Sequence, residues 1–206
     1  MTMKFFYGPK TCALASRIAL EEAGASYEPV KVDFASGEQT KPAYLAVNPK
    51  GRVPALVTDR GVLTENVAIL AFVAQSYPEK NLAPLNDPFA FAEMQAFNSY
   101  LASTVHVNHA HKHRGARWAT EESSFLDMRR KVPETMAASF SLIENDFFRG
   151  PWVMGEAYTV ADAYLFVVSR WLEGDGVDVN RFPRVADHMK RMAERPAVQA
   201  ALAGEK

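Results

Sequence analysis

Hydrophobic and polar positions change their period once along this chain, across residues 77–88. Before that stretch, short apolar runs alternate with helical ones. Met3–Tyr7 is brief, aromatic and bounded by Gly8-Pro9, which predicts a strand. From Cys12 to Ala23, Leu14 and Ile18 recur at helical spacing with alanines between them. Glu21 and Glu22 are expected to face out, and Gly24 to stop the helix. Tyr27–Val32 predicts a second strand, and Lys41–Val47 a short helix closed by Asn48-Pro49. Ala55–Thr58 and Gly61–Leu63 predict a hairpin turning at Asp59-Arg60-Gly61, and Val67–Ser76 a helix packed on the sheet. The order is β-α-β, then α, then β-β-α. It describes a four-stranded α/β unit whose first two strands run parallel.

Residues 77–88, YPEKNLAPLNDP, carry three prolines and no period, so they read as a linker. Beyond them only helical spacing remains. Phe89–Arg114 has an apolar stripe at Met94, Phe97, Leu101 and Val105, and a polar one at Gln95, Ser99, Ser103 and His106. Residues 122–148 predict a second long helix. Val160–Leu172 is apolar nearly all round and is expected to be buried, and Phe182–Arg195 and Pro196–Ala203 close the chain as helices. The expected organisation is an α/β domain over 1–77, a linker over 78–88 and an all-helical domain over 89–206.

With 206 residues there is length for two modest cores, and 48% hydrophobic with 23% charged residues is an ordinary soluble composition. A net charge of −1 argues against nucleic acid or an anionic membrane as partner. No apolar stretch reaches the length of a membrane span, and the N-terminus lacks a signal-peptide layout. The single cysteine cannot form an intramolecular disulfide, which fits a reducing compartment; a cytoplasmic location is the expectation.

That cysteine, Cys12, lies where a strand gives way to a helix. Helix starts present unpaired N–H groups and the positive end of the dipole, which favour thiolate over thiol. The same position also suits a small apolar filler. Pro9 stands where a C-x-x-C pair would have its first sulfur, so redox chemistry here needs an external thiol. In NPKGRVPALV (48–57), Asn48 to Gly51 forms a turn and Val53-Pro54 opens a strand. Proline there suits an edge or a cis bond, and a cis bond would leave the Val53 N–H and C=O to pair with an extended peptide. Glu65-Asn66 falls at a strand-to-helix junction. Asn66 is a good N-cap, the helix start attracts a carboxylate, and Glu65 can hold an ammonium; an ordinary acidic helix start reads the same way.

These three segments in this order, followed by an all-helical half, resemble the glutathione S-transferase family. The resemblance spans essentially the whole chain. It implies a thioredoxin-like N-terminal domain with a four-stranded mixed sheet and an all-α C-terminal domain. By the same resemblance, Val53 before a cis Pro54 pairs with the cysteinyl backbone of glutathione, and Glu65 with Asn66 holds its γ-glutamyl group. GEAYTVADAYLF (155–166) is similar to the family's buried helix start, with Thr159 and Asp162 as a capping box. RMAERPAVQAAL (191–202) is similar to its usual ending.

Cys12 matches the cysteine of the bacterial beta class, and His106 its histidine near the glutathione sulfur. Ser99 and Ser103 share the His106 stripe and would face the first domain across a cleft. Asn66 stands where the family generally has serine, and Val107 where the beta class often has lysine. The function implied is transfer of the glutathione thiol to a small hydrophobic electrophile, with thiol-disulfide exchange through Cys12, in a homodimer without metal. Two other readings share these residues: a non-catalytic interaction or carrier module, and a glutathione-dependent isomerase or dehalogenase.

Other residues are weighed as structural. Tyr7 lies near the end of the first strand, where other classes activate glutathione with a tyrosine, and a structural place is favoured for it. Ser16 sits a full turn into the helix. His106, His109 and His113 fall at i, i+3 and i+7 with no cysteine or paired carboxylate nearby, which reads as a solvated helix end rather than a metal site. Trp152 and Trp171 are expected in a core or an interface.

Overall fold

A computed structural model describes residues 3–205. The apolar runs form strands β1 (Met3–Tyr7), β2 (Tyr27–Lys31), β3 (Ala55–Thr58) and β4 (Gly61–Thr64). They make one mixed sheet in the order β2-β1-β3-β4, with β1 parallel to β2 and antiparallel to β3. The two-residue period of β1 buries Phe5 and Tyr7 and leaves Lys4 exposed. Phe5 lies opposite both Pro29 of β2 and Leu56 of β3, at the centre of the sheet.

Helices α1 (Ala13–Ala23) and α2 (Pro42–Leu45) connect these strands, and α3 (Asn66–Ser76) follows the last of them. Leu14, Ile18 and Leu20 of α1 and Ile69, Leu70 and Val73 of α3 are buried. Each such side chain contributes about 1.5–3 kcal/mol over an exposed one. Gly24 ends α1 at φ +65°, a left-handed conformation that costs glycine little, and Ala25 N–H returns to the Leu20 carbonyl at 3.0 Å. Glu21 and Glu22 do not simply face solvent. Glu21 accepts the Tyr27 hydroxyl at 2.5 Å, and Glu22 is held by Arg195 through two bonds of 2.5 and 2.9 Å.

The chain divides into two compact units: residues up to Phe91 together with those from Ala193 onward, and residues Ala92–Met192. The final helix, α9 (Pro196–Ala203), follows the helical half in sequence but packs on α1. Its end is tied down by two donors to the Gly204 carbonyl, the Tyr7 hydroxyl at 3.0 Å and Arg17 Nη1 at 2.7 Å.

α4 (Pro88–Tyr100), most of which belongs to the second unit, runs through a π-helical turn, Leu101–Val105, into α5 (His106–Ala110). Met94, Phe97, Leu101 and Val105 are buried, as the apolar stripe predicts. α6 (Glu122–Leu142) follows, and then α7 (Val160–Ser169), every residue of which is buried. Thr159 and Asp162 form the expected capping box at the start of α7. Asp162 also accepts Val153 N–H at 2.9 Å and His188 Nε2 at 3.1 Å, so neither carboxylate oxygen is left unpaired. α8 (Pro183–Glu194) carries the chain to the end of this unit at Met192. Among the described residues no helix is long and apolar enough to cross a membrane.

Candidate active site

Three distant sequence segments converge in the first unit. Cys12 is half-buried and immediately precedes α1, whose first turn carries no acidic residue. Its Sγ donates to the Val53 carbonyl at 3.6 Å. Its own carbonyl accepts from Asn66 Nδ2 at 2.9 Å and from Ala15 N–H at 3.1 Å. The Thr11 hydroxyl bonds the Gly8 carbonyl at 2.7 Å and accepts Ala13 N–H, which shapes the turn leading into the helix. The thiol is therefore held against the backbone that precedes the Val53–Pro54 bond, and that bond is cis.

The support beneath Val53 was not read from the sequence. The Arg52 carbonyl receives both the Tyr44 hydroxyl and Asn48 Nδ2, each at 2.6 Å. Asn48 Oδ1 in turn accepts Lys50 N–H at 3.2 Å. Burial of the Tyr44 phenol pushes its pKa up to about 12, so it stays a donor across ordinary pH. The only local hint was the Asn48-Pro49 pair that closes α2.

Asn66 departs from the expected N-cap. It is the first residue of α3, and Glu65 precedes it at φ +72°. The Asn66 side chain is buried and turns toward α1, accepting the Ser16 hydroxyl at 2.6 Å while donating to the Cys12 carbonyl. An amide has both a donor and an acceptor to spend, and here both go to the element that carries the thiol. Ser16 is fully buried, in keeping with a structural place. Glu65 is exposed, and its carboxylate meets Lys50 Nζ at 2.5 Å, with the Thr64 hydroxyl 2.7 Å from the same ammonium. Tyr7 is nearly buried, its hydroxyl committed to Gly204 and the Arg17 guanidinium 4.8 Å over its ring.

In the second unit Ser99 and Ser103 are exposed, and the Ser103 hydroxyl returns to the Ser99 carbonyl at 2.8 Å. His106 is half-buried, with its ring 5.0 Å from that of Trp171. His109 differs from the solvated helix end expected of it. Its Nδ1 lies 2.7 Å from Oδ2 of a buried carboxylate, Asp175. Asp175 lies 66 residues away, outside any local pattern. No group of three or more metal-binding side chains occurs among the described residues.

Comparison with known proteins agrees with this architecture. Residues 1–75 match the family model for the glutathione S-transferase N-terminal domain, and residues 118–196 that for the C-terminal domain. A glutathione transferase homologue from Sulfitobacter, solved with bound glutathione, is 50% identical, with 98% of each chain covered and a TM-score of 0.96. Glutathione S-transferase GstA of Escherichia coli O157:H7 is 36% identical over 206 residues, 98% of either chain. A bacterial beta class glutathione S-transferase from Sphingomonas chungbukensis is 32% identical over 98% of both chains, with a TM-score of 0.85. The chain belongs to the glutathione S-transferase family.

Proposed function

We propose that this protein is a glutathione transferase of the beta class that joins the glutathione thiol to small hydrophobic electrophiles and exchanges disulfides through Cys12. The observation that carries the reading is the Cys12 thiol donating to the Val53 carbonyl beside the cis Pro54. A peptide strand laid along Val53 would bring its own cysteine to that thiol. Val53 and Pro54 receive the cysteinyl backbone. Glu65 takes the γ-glutamyl ammonium, and the start of α3 behind Asn66 takes its carboxylate.

In conjugation, the glutathione thiol loses its proton in the field of the α1 N-terminus and beside the Cys12 S–H. His106 assists that ionisation, with Ser99 and Ser103 on the same face. The thiolate forms a bond to the electrophilic carbon, whose leaving group departs with its electron pair. In exchange, the Cys12 thiolate attacks one sulfur of a glutathione disulfide, forms a mixed disulfide and releases the other half as thiolate. The proposal includes a homodimer in the cytoplasm and no resident metal.

Steady-state assay of conjugation with glutathione, alongside calorimetric glutathione binding, tests the reading. Turnover of an activated aryl halide by wild type, much reduced in His106→Ala, supports it. Glutathione binding without turnover of aryl halides, epoxides, cis-trans isomerisable diacids or halogenated phenols would make the protein a carrier or interaction module instead.

A further inference from the structure

We infer that the His109–Asp175 pair is a positioning device for His106, acting through the indole of Trp171. The inference rests on the role given to His106 above. Asp175 has no side-chain exposure, and a carboxylate so buried persists only when it is paired. Two side chains of the α5 region meet it: His109, with Nδ1 2.7 Å from Oδ2, and Lys112, with Nζ 3.6 Å from Oδ1. The 2.7 Å bond between His109 Nδ1 and Asp175 Oδ2 sets the orientation of the imidazole ring.

That ring lies flat on Trp171, with centroids 4.3 Å apart and planes 17° from parallel. The indole then meets the His106 ring at 5.0 Å with a tilt of 54°. Asp175 also holds the tryptophan by its backbone, since Asp175 N–H donates to the Trp171 carbonyl at 2.9 Å. Asp175 therefore restrains Trp171 in two ways: its backbone N–H holds the main chain directly, and its carboxylate holds the face of the indole through His109. His106 and His109 lie three residues apart, on one face of the helix, so both imidazoles reach the same indole. A side chain that assists a proton transfer must be held in a narrow range of positions. Trp171 supplies that restraint to His106, and the His109–Asp175 pair keeps Trp171 from turning.

The test is a kinetic double-mutant cycle in the full-length protein, with glutathione and an activated aryl chloride. His109→Asn keeps a donor for Asp175, and so the fold, but removes the ring stacked on Trp171. Its kcat is expected to fall roughly threefold to tenfold with the glutathione KM unchanged. Added to His106→Ala, it should cost nothing more, because the residue it positions is already gone. Trp171→Phe, read in the same cycle, is a second probe expected to lower kcat in the same non-additive way. Wild-type kcat for both probes while His106→Ala is impaired would overturn the inference and leave the role of His106 standing. Full additivity with His106→Ala would overturn it as well, by making His109 a general structural residue. Wild-type kcat for His106→Ala itself would instead remove the reading on which the inference rests.

Discussion

Asn66 holds Cys12 by its main chain. From the first position of α3 its Nδ2 donates to the Cys12 carbonyl at 2.9 Å, and its Oδ1 accepts the Ser16 hydroxyl at 2.6 Å. The thiol is thus fixed by a residue 54 positions away. Asn66→Ala would leave the fully buried Ser16 hydroxyl without its acceptor, at a cost of about 1–3 kcal/mol. The urea midpoint is expected to fall accordingly, and the glutathione KM to rise several-fold as the Cys12 turn loosens. An unchanged KM would separate this anchor from the binding of glutathione.

Tyr7 is spent on structure. Its hydroxyl donates to Gly204, and the Arg17 donor to the same carbonyl remains if the phenol is lost. Tyr7→Phe should keep kcat within about twofold of wild type while lowering stability by about 0.5–1.5 kcal/mol, the worth of one hydrogen bond. Loss of turnover in that variant would instead give Tyr7 a catalytic role.

Asp162 is the polar keystone of the second unit. It accepts Val153 N–H, Thr159 N–H, the Thr159 hydroxyl and His188 Nε2, all in buried surroundings. Asp162→Ala strands these donors together, and a loss of about 3–5 kcal/mol is expected, a large share of the stability of a typical protein. Asp162→Asn, which keeps the shape, should lose less. Chemical denaturation of the two variants ranks them.

Tyr44 makes stability fall in alkali. Its folded pKa is raised from 10.0 to about 12 by burial, so the unfolded chain gives up this proton first. The contribution is complete below pH 10. It is lost as pH climbs from 10 towards 12, where the unfolded state binds fewer protons than the folded one. Over that window the group weakens the folding equilibrium by at most roughly tenfold per pH unit. Tyr44→Phe should flatten this part of the stability curve, measured by urea titration at successive pH values.

Period and punctuation made most of the fold legible. β1 follows from a short aromatic run before Gly-Pro, and the α4 core face from Met94, Phe97, Leu101 and Val105, which are buried. Partnership between distant elements was not legible. A short apolar α9 does not announce that it packs on α1, and the two glutamates of α1 gave no sign of Tyr27 or Arg195 as partners. At the site, the cysteine, the proline and the acidic helix start were found from local chemistry. Asn66 was read as a cap because N-cap preference is a local rule. A side chain that serves a neighbouring helix obeys no local rule. His109 and Asp175 escaped for the same reason.

The central claim is that Cys12 is the thiol that meets glutathione, and intact mass tests it most directly. Wild type and Cys12→Ala would each be incubated with oxidised glutathione and weighed without reductant. One glutathionyl group on wild type, removed by dithiothreitol and absent from Cys12→Ala, is the predicted result. Wild type that stays unmodified while still conjugating glutathione at full rate would contradict the exchange chemistry assigned to Cys12.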